Sequence, residues 1–137
     1  MIIVDDHLAL LRITGALPEF DEYGPVATTS SFQFRLARAV ADSAHSGRLS
    51  RTLSHPNAAL RRILSPPGNR LIVLDPRASM EEAAGIAVRY RANLLLAQFA
   101  GAALKHDAAV RVTPGTLGRS WEAVMDAEHV DFATFEA

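Results

Sequence analysis

Two short runs, Ile2-Ile3-Val4 and Leu71-Ile72-Val73-Leu74, are apolar at every position and each ends on aspartate: Asp5-Asp6 after the first, Asp75 after the second. A strand that alternates apolar and polar residues covers one face of a sheet, whereas one that is apolar throughout is covered on both. Such runs predict strands of a parallel sheet covered on both faces, with helices above and below. Carboxylates delivered at the C-terminal tips of these strands stand where α/β domains place metal or phosphate chemistry.

The rest of the chain reads as helices and further short strands. Leu8 to Ile13 is a short helix ended near Gly15, and Leu17 to Pro25 is a loop. Val26-Ala27-Thr28 is a short strand. Ser30 or Ser31 is placed to cap a helix running to about His45, with Phe32, Leu36, Ala39 and Val40 on one face. Leu49 to Leu53 and Asn57 to Leu64 read as two more helices, the second with Pro56 in its first turn. Ser79-Met80-Glu81-Glu82 has the spacing of a capping box and opens a helix to about Arg91. Asn93 caps Leu94 to His106, a helix apolar around most of its circumference and hence expected in the core. Val110 to Val112, a helix from Ser120 to Ala127 and a last strand from Val130 to Phe132 complete the pattern. Strands alternating with helices predict an α/β fold, a three-layer α/β/α sandwich with a central, mainly parallel sheet, as a single domain over 1–137.

With 49% hydrophobic residues and no cysteine, the chain has the material for one core and none for a disulfide or a thiolate zinc site. The first apolar run is cut short by Asp5 and Asp6, so neither a signal peptide nor a membrane span is expected, and a cytoplasmic setting follows. The net charge of −1 is unevenly spread. Residues 24–74 carry seven arginines against one acid, Asp42, while both flanking segments are acidic. Thirteen of the fourteen basic residues are arginine, whose planar fork suits phosphate better than lysine does.

Val4-Asp5-Asp6-His7-Leu8 resembles the opening strand tip of the PIN domain, the nuclease fold of VapC-like ribonuclease toxins from bacterial toxin–antitoxin pairs. Ala27-Thr28-Thr29-Ser30 and the helix after it are similar to the strand and helix that carry a catalytic glutamate in that family. Leu71 to Asp75, then Arg89-Tyr90-Arg91-Ala92-Asn93-Leu94, resemble the stretch before its third acid. Ala97 to Leu104 is similar to its alanine-rich helix, and Val110-Arg111-Val112-Thr113 to the strand whose closing threonine precedes a fourth acid.

Carried over residue by residue, only Asp5 lands on a family acid. The glutamate position falls at or beside Arg35, the aspartate of the alanine-rich helix on Leu96, and the acid after the threonine near Gly115. Residues 30–41 and 93–106 contain no acid at all. Mg²⁺ or Mn²⁺ requires several carboxylate oxygens in octahedral array, and an arginine nearby would repel it and take a phosphate oxygen instead. The resemblance thus implies a pseudonuclease that keeps the fold without the metal, with no cofactor expected. It would bind RNA or an antitoxin-like small protein, as a homo-oligomer, with no membrane partner. Asp5 is its residual catalytic position. Asp5 and Asp6 are the metal ligands of the alternative reading, an active Mg- or Mn-dependent ribonuclease completed by an acid from the C-terminal third. The second alternative is an unrelated α/β regulatory module of the response-receiver kind, with Asp75 as phosphoacceptor.

Arg35, Arg38, Arg48, Arg51, Arg61 and Arg62 are the candidate nucleic-acid contacts. Arg35 with Arg38, and Arg48 with Arg51, are three apart and so share a helix face. Their plainer role is to pair with the acidic ends of the chain. For Asp5 and Asp6 the plainer roles are a helix cap and a solvated charge. For His7 it is a turn residue, and for Trp121 a core residue rather than a partner anchor. No GxxxxGK, GxGxxG or GxSxG motif is present.

Overall fold

Alternate side chains of β1 (Ile2–Val4) enter different cores: Ile2 and Val4 pack on one side of the sheet and Ile3 on the other, all three without solvent contact. β1 is the central strand. In the computed structural model, which describes residues 1–17, 20, 24–46, 55–68, 70–115 and 118–136, it pairs in parallel with β2 (Val26–Thr29) and with β4 (Ala109–Val112). β3 (Ile72–Leu74) lies outside β2 and β5 (Phe132–Thr134) outside β4, both also parallel. The order is β3-β2-β1-β4-β5.

Six helices among the described residues cover the two faces, so the chain is a three-layer α/β/α sandwich about a five-stranded parallel sheet. α1 (Asp6–Ile13), α2 (Ser30–Ser46) and α3 (Pro56–Leu64) bury Leu8, Ile13, Leu36, Val40 and Ile63 against Ile2, Val4 and Val26. On the other face α4 (Met80–Tyr90), α5 (Leu94–His106) and α6 (Arg119–Ala127) pack on Ile3, Val110 and Val112. Phe32 crosses to this second core and meets Phe99 and Trp121 with ring centroids 5.0 and 6.3 Å away. Trp121 is therefore a core residue. α5 is held by its expected cap, Asn93, which accepts from the Leu96 N–H, and Leu96 itself is buried. Gly101 permits the close approach of α4, since a Cβ there would lie 2.6 Å from the Ala83 nitrogen.

Several element ends differ from the sequence reading for local reasons. Thr29, not Ser30 or Ser31, caps α2 by accepting from the Phe32 N–H. Ser79 makes no capping bond, because Pro76–Ser79 wind a 3₁₀ turn whose cap is Asp75, accepting from the Arg77 N–H. The last strand begins two residues later than expected. His129 takes the left-handed conformation (φ 56°), and Val130 donates to the Met125 carbonyl, so Val130 closes α6 instead of opening β5. The same ending recurs after α4 and α5, with Arg91 and Asp107 in the left-handed region and Ala92 and Ala108 donating five residues back. The helix read at Leu49 to Leu53 lies outside the described residues.

Candidate functional site

The strand order reverses at β1: the chain leaves it on one side to form β2 and β3, then returns on the other as β4 and β5. A crevice at the C-terminal ends of the strands is expected at such a switch point, between β1 and β4. Asp5 stands at the tip of β1 and Thr113 at the tip of β4, and here the two are joined. The Asp5 Oδ2 accepts from the Thr113 N–H and from its hydroxyl, each at 2.7 Å, while Oδ1 accepts the Leu8 N–H at 2.9 Å and so caps α1. Asp5 is fully buried. Both oxygens of Asp5 are thus turned towards protein donors.

Asp6 opens into a cleft of about 730 Å³ lined also by His7, Arg35, Thr113, Phe135 and Glu136. Its Oδ1 accepts the His7 N–H at 3.0 Å, and its Oδ2 meets the Arg35 Nε at 3.0 Å. The Asp6 side chain is 13% exposed and that of Arg35 46%. Burial pushes the Asp6 carboxyl above its ordinary value; the Arg35 guanidinium pulls the other way without offsetting it, and the neighbouring Asp5 adds to the rise. Arg35 also sits over the Phe32 ring, 5.9 Å from its centroid. With Nε taken by Asp6, the terminal amino groups of the guanidinium, which hold no other ion pair among the described residues, can address an anion in the cleft.

A resident Mg²⁺ or Mn²⁺ would need converging oxygens, whereas Asp5 accepts from two N–H groups and one O–H, and Asp6 is shared with a guanidinium. Among the described residues, no group of three His, Asp or Glu side chains is placed to hold a metal. Glu136, two residues beyond β5, lines the same cleft as Asp6. Neither Glu136 nor Phe135 was singled out in the sequence, although the strand-tip rule would have pointed to both once β5 was placed correctly. His7 is on α1 with an exposed side chain, not in a turn. Asp75 stands at the tip of the edge strand β3, ion-paired with Arg77 at 2.8 Å.

Of the candidate arginines, Arg38 lies one turn along α2 from Arg35, and Arg61 and Arg62 lie in the last turn of α3. Gln33 donates to the carbonyls of Ile63 and Leu64, which brings the end of α3 to the start of α2. Arg35, Arg61 and Arg62 therefore lie towards the strand-tip end of the molecule, with Arg38 one turn further from it. Arg38, Arg61 and Arg62 are exposed and form no ion pair among the described residues, whereas Arg35 pairs with Asp6. Arg48 and Arg51 lie outside the described residues.

No family model and no curated protein matches the chain. Among solved structures it is similar to the crystal structure of PAE2754 from Pyrobaculum aerophilum, with a TM-score of 0.63 and 14% identity over 97% of this chain and 89% of that one. At that identity the likeness shows the fold alone.

Proposed function

We propose that this chain is a PIN-like domain of a toxin–antitoxin-type pair that binds RNA, or a small partner protein, without metal-dependent cleavage. The observation that carries the reading is the pairing of Asp6 with Arg35, which puts a guanidinium where the family resemblance expects a second carboxylate. A cation there attracts a phosphate oxygen and disfavours a divalent metal. Support also comes from Arg61 and Arg62 at that end and Arg38 one turn beyond Arg35, none of them ion-paired among the described residues. Phe34, exposed on α2 one turn before Arg38, offers a ring for a base to stack on. No helix among the described residues is long and apolar enough to cross a membrane.

The test is the affinity for a short single-stranded RNA across a salt series. Binding should fall steeply with salt, and the slope should become shallower in the double variant Arg61→Ala/Arg62→Ala. Absence of any RNA affinity at low ionic strength counts against the RNA arm. A small acidic protein that binds at fixed stoichiometry and competes with RNA would favour the partner arm.

One observation favours a second reading, an active ribonuclease: Glu136 is an acid of the C-terminal third and lines the cleft with Asp6. Under that reading Glu136→Gln and Asp6→Asn each abolish cleavage. Under the first there is no cleavage to abolish.

A further inference from the structure

The outer side of β5 is an open strand edge. The Asp131 carbonyl accepts from the Val110 N–H, and the Phe135 N–H donates to the Val112 carbonyl, so the odd-numbered residues of this stretch face β4. Successive residues of a strand turn their backbone groups to opposite edges. The N–H and C=O of Phe132 and Thr134 therefore point away from the sheet, where no strand pairs with them among the described residues. Proline and lysine, the usual guards of an open edge, are absent from Phe132-Ala133-Thr134.

A groove runs beside this edge on the α6 side of the sheet. Its two parts, of about 190 and 480 Å³, share Arg119, Glu122 and Phe132 and so form one channel between α6 and β5. Phe132 and Val130, both half-buried, make its apolar floor. Glu122 and Asp126 stand on its α6 wall, four residues apart on one helix face and both exposed. Neither is ion-paired among the described residues, and Arg119, one turn before Glu122, does not pair with it. Like charges at that spacing cost the helix stability, and nothing described in the chain offsets them.

Backbone, spacing and charge together specify an occupant. A strand laid along β5 takes up the free groups of Phe132 and Thr134 and turns every second side chain into the channel. Those side chains are about 6.7 Å apart, and Glu122 and Asp126 are about 6 Å apart along α6, so consecutive inward side chains meet the two acids in turn. An arginine or lysine there rests its aliphatic stem on Phe132 and Val130 and carries its charge to a carboxylate. A second copy of β5 does not fit, because its own Glu122 and Asp126 would be brought against the first pair.

We propose that the β5 edge and the channel beside it dock an extended, basic segment of a partner protein, added to the five-stranded sheet as a further strand. The proposal is independent of the RNA reading, since the channel lies on the α6 side of the sheet and the Asp6–Arg35 cleft on the α1 side.

The test titrates the peptide acetyl-Thr-Val-Arg-Val-Arg-Val-Thr-amide into the isotope-labelled full chain. Binding should slow hydrogen exchange at the Phe132 and Thr134 amides and leave Ala133, already turned to β4, unchanged. Methylating the peptide's backbone nitrogens should abolish binding. The double variant Glu122→Lys/Asp126→Lys, at exposed positions, should keep the circular dichroism spectrum. It should bind the arginine peptide at least about tenfold more weakly and accept the peptide with glutamate in place of arginine. Absence of binding at millimolar peptide overturns the proposal. So does binding that leaves the Phe132 and Thr134 amides open to exchange, or that is indifferent to the charge reversal.

Discussion

Thr113 holds Asp5 through two hydrogen bonds, one from its amide and one from its hydroxyl, both 2.7 Å and both to the same carboxylate oxygen. The bond spans 108 residues of chain and ties β4 to β1 across the switch point. With the Leu8 amide on the other oxygen, three donors face this side chain among the described residues. Asp5 is therefore a structural clamp between the tips of β1 and β4.

The clamp makes Asp5→Asn destabilising even though it is isosteric. An amide nitrogen must replace one oxygen, and whichever way it turns it meets an N–H or O–H donor. A buried donor left unsatisfied costs about 1–3 kcal/mol, so urea unfolding should show a loss of that order. Thr113→Val removes the hydroxyl bond to Asp5 and keeps the amide one, and should cost about 1 kcal/mol. Unchanged stability in Asp5→Asn would mean that the clamp is not what holds the two strand tips.

The Asp6 carboxyl predicts a pH dependence. Its value in the folded chain is raised above 3.8, chiefly by burial, so the folded state holds that proton more tightly than the unfolded state. The contribution to stability is complete below 3.8 and is lost as pH rises through the folded value. The stability of the wild type relative to Asp6→Asn should therefore fall as pH rises from the acid side towards neutrality. Arg35→Gln removes the one cation that opposes the shift, and should move this loss to higher pH. Melting temperatures of the three proteins across that range check both statements.

Gly101 should be intolerant of any side chain. A Cβ there falls 2.6 Å from the Ala83 nitrogen and 2.7 Å from its Cα, both backbone atoms that move only with α4. Gly101→Ala should lower stability by roughly 1–3 kcal/mol in thermal unfolding, against the usual gain from alanine in a helix. A neutral result would show that α4 and α5 can separate freely.

The fold was legible in the sequence because its signals are local. Ile2 to Val4, the Asn93 cap and the apolar helix behind it are each read within a dozen residues. What was missed is not written locally. β5 was displaced because His129, not glycine, takes the left-handed position that ends α6. The Ser79 box was unused because Asp75, one 3₁₀ turn earlier, already caps the chain. The site was legible only in part. Asp5, Asp6 and Arg35 could be named, but the Thr113 clamp and the Asp6–Arg35 pair depend on the tertiary fold, as does the entry of Glu136 into the cleft.

Among the basic residues, Arg61 and Arg62 separate contact from scaffold most cleanly, since both are exposed at the end of α3 and carry no core packing. If each neutralises one phosphate, replacing both with alanine should make the log–log salt slope for single-stranded RNA shallower by about 1.4. Circular dichroism and melting temperature should be unchanged. A loss of stability with an unaltered slope would instead assign the pair to the scaffold.

The most direct test of the whole account is a gel that reads binding and cleavage of one labelled RNA together, with the wild-type chain in millimolar Mn²⁺ or Mg²⁺. The RNA should be retarded at low salt and recovered at full length. RNA that is cut, with the cutting lost in both Asp6→Asn and Glu136→Gln, would contradict it.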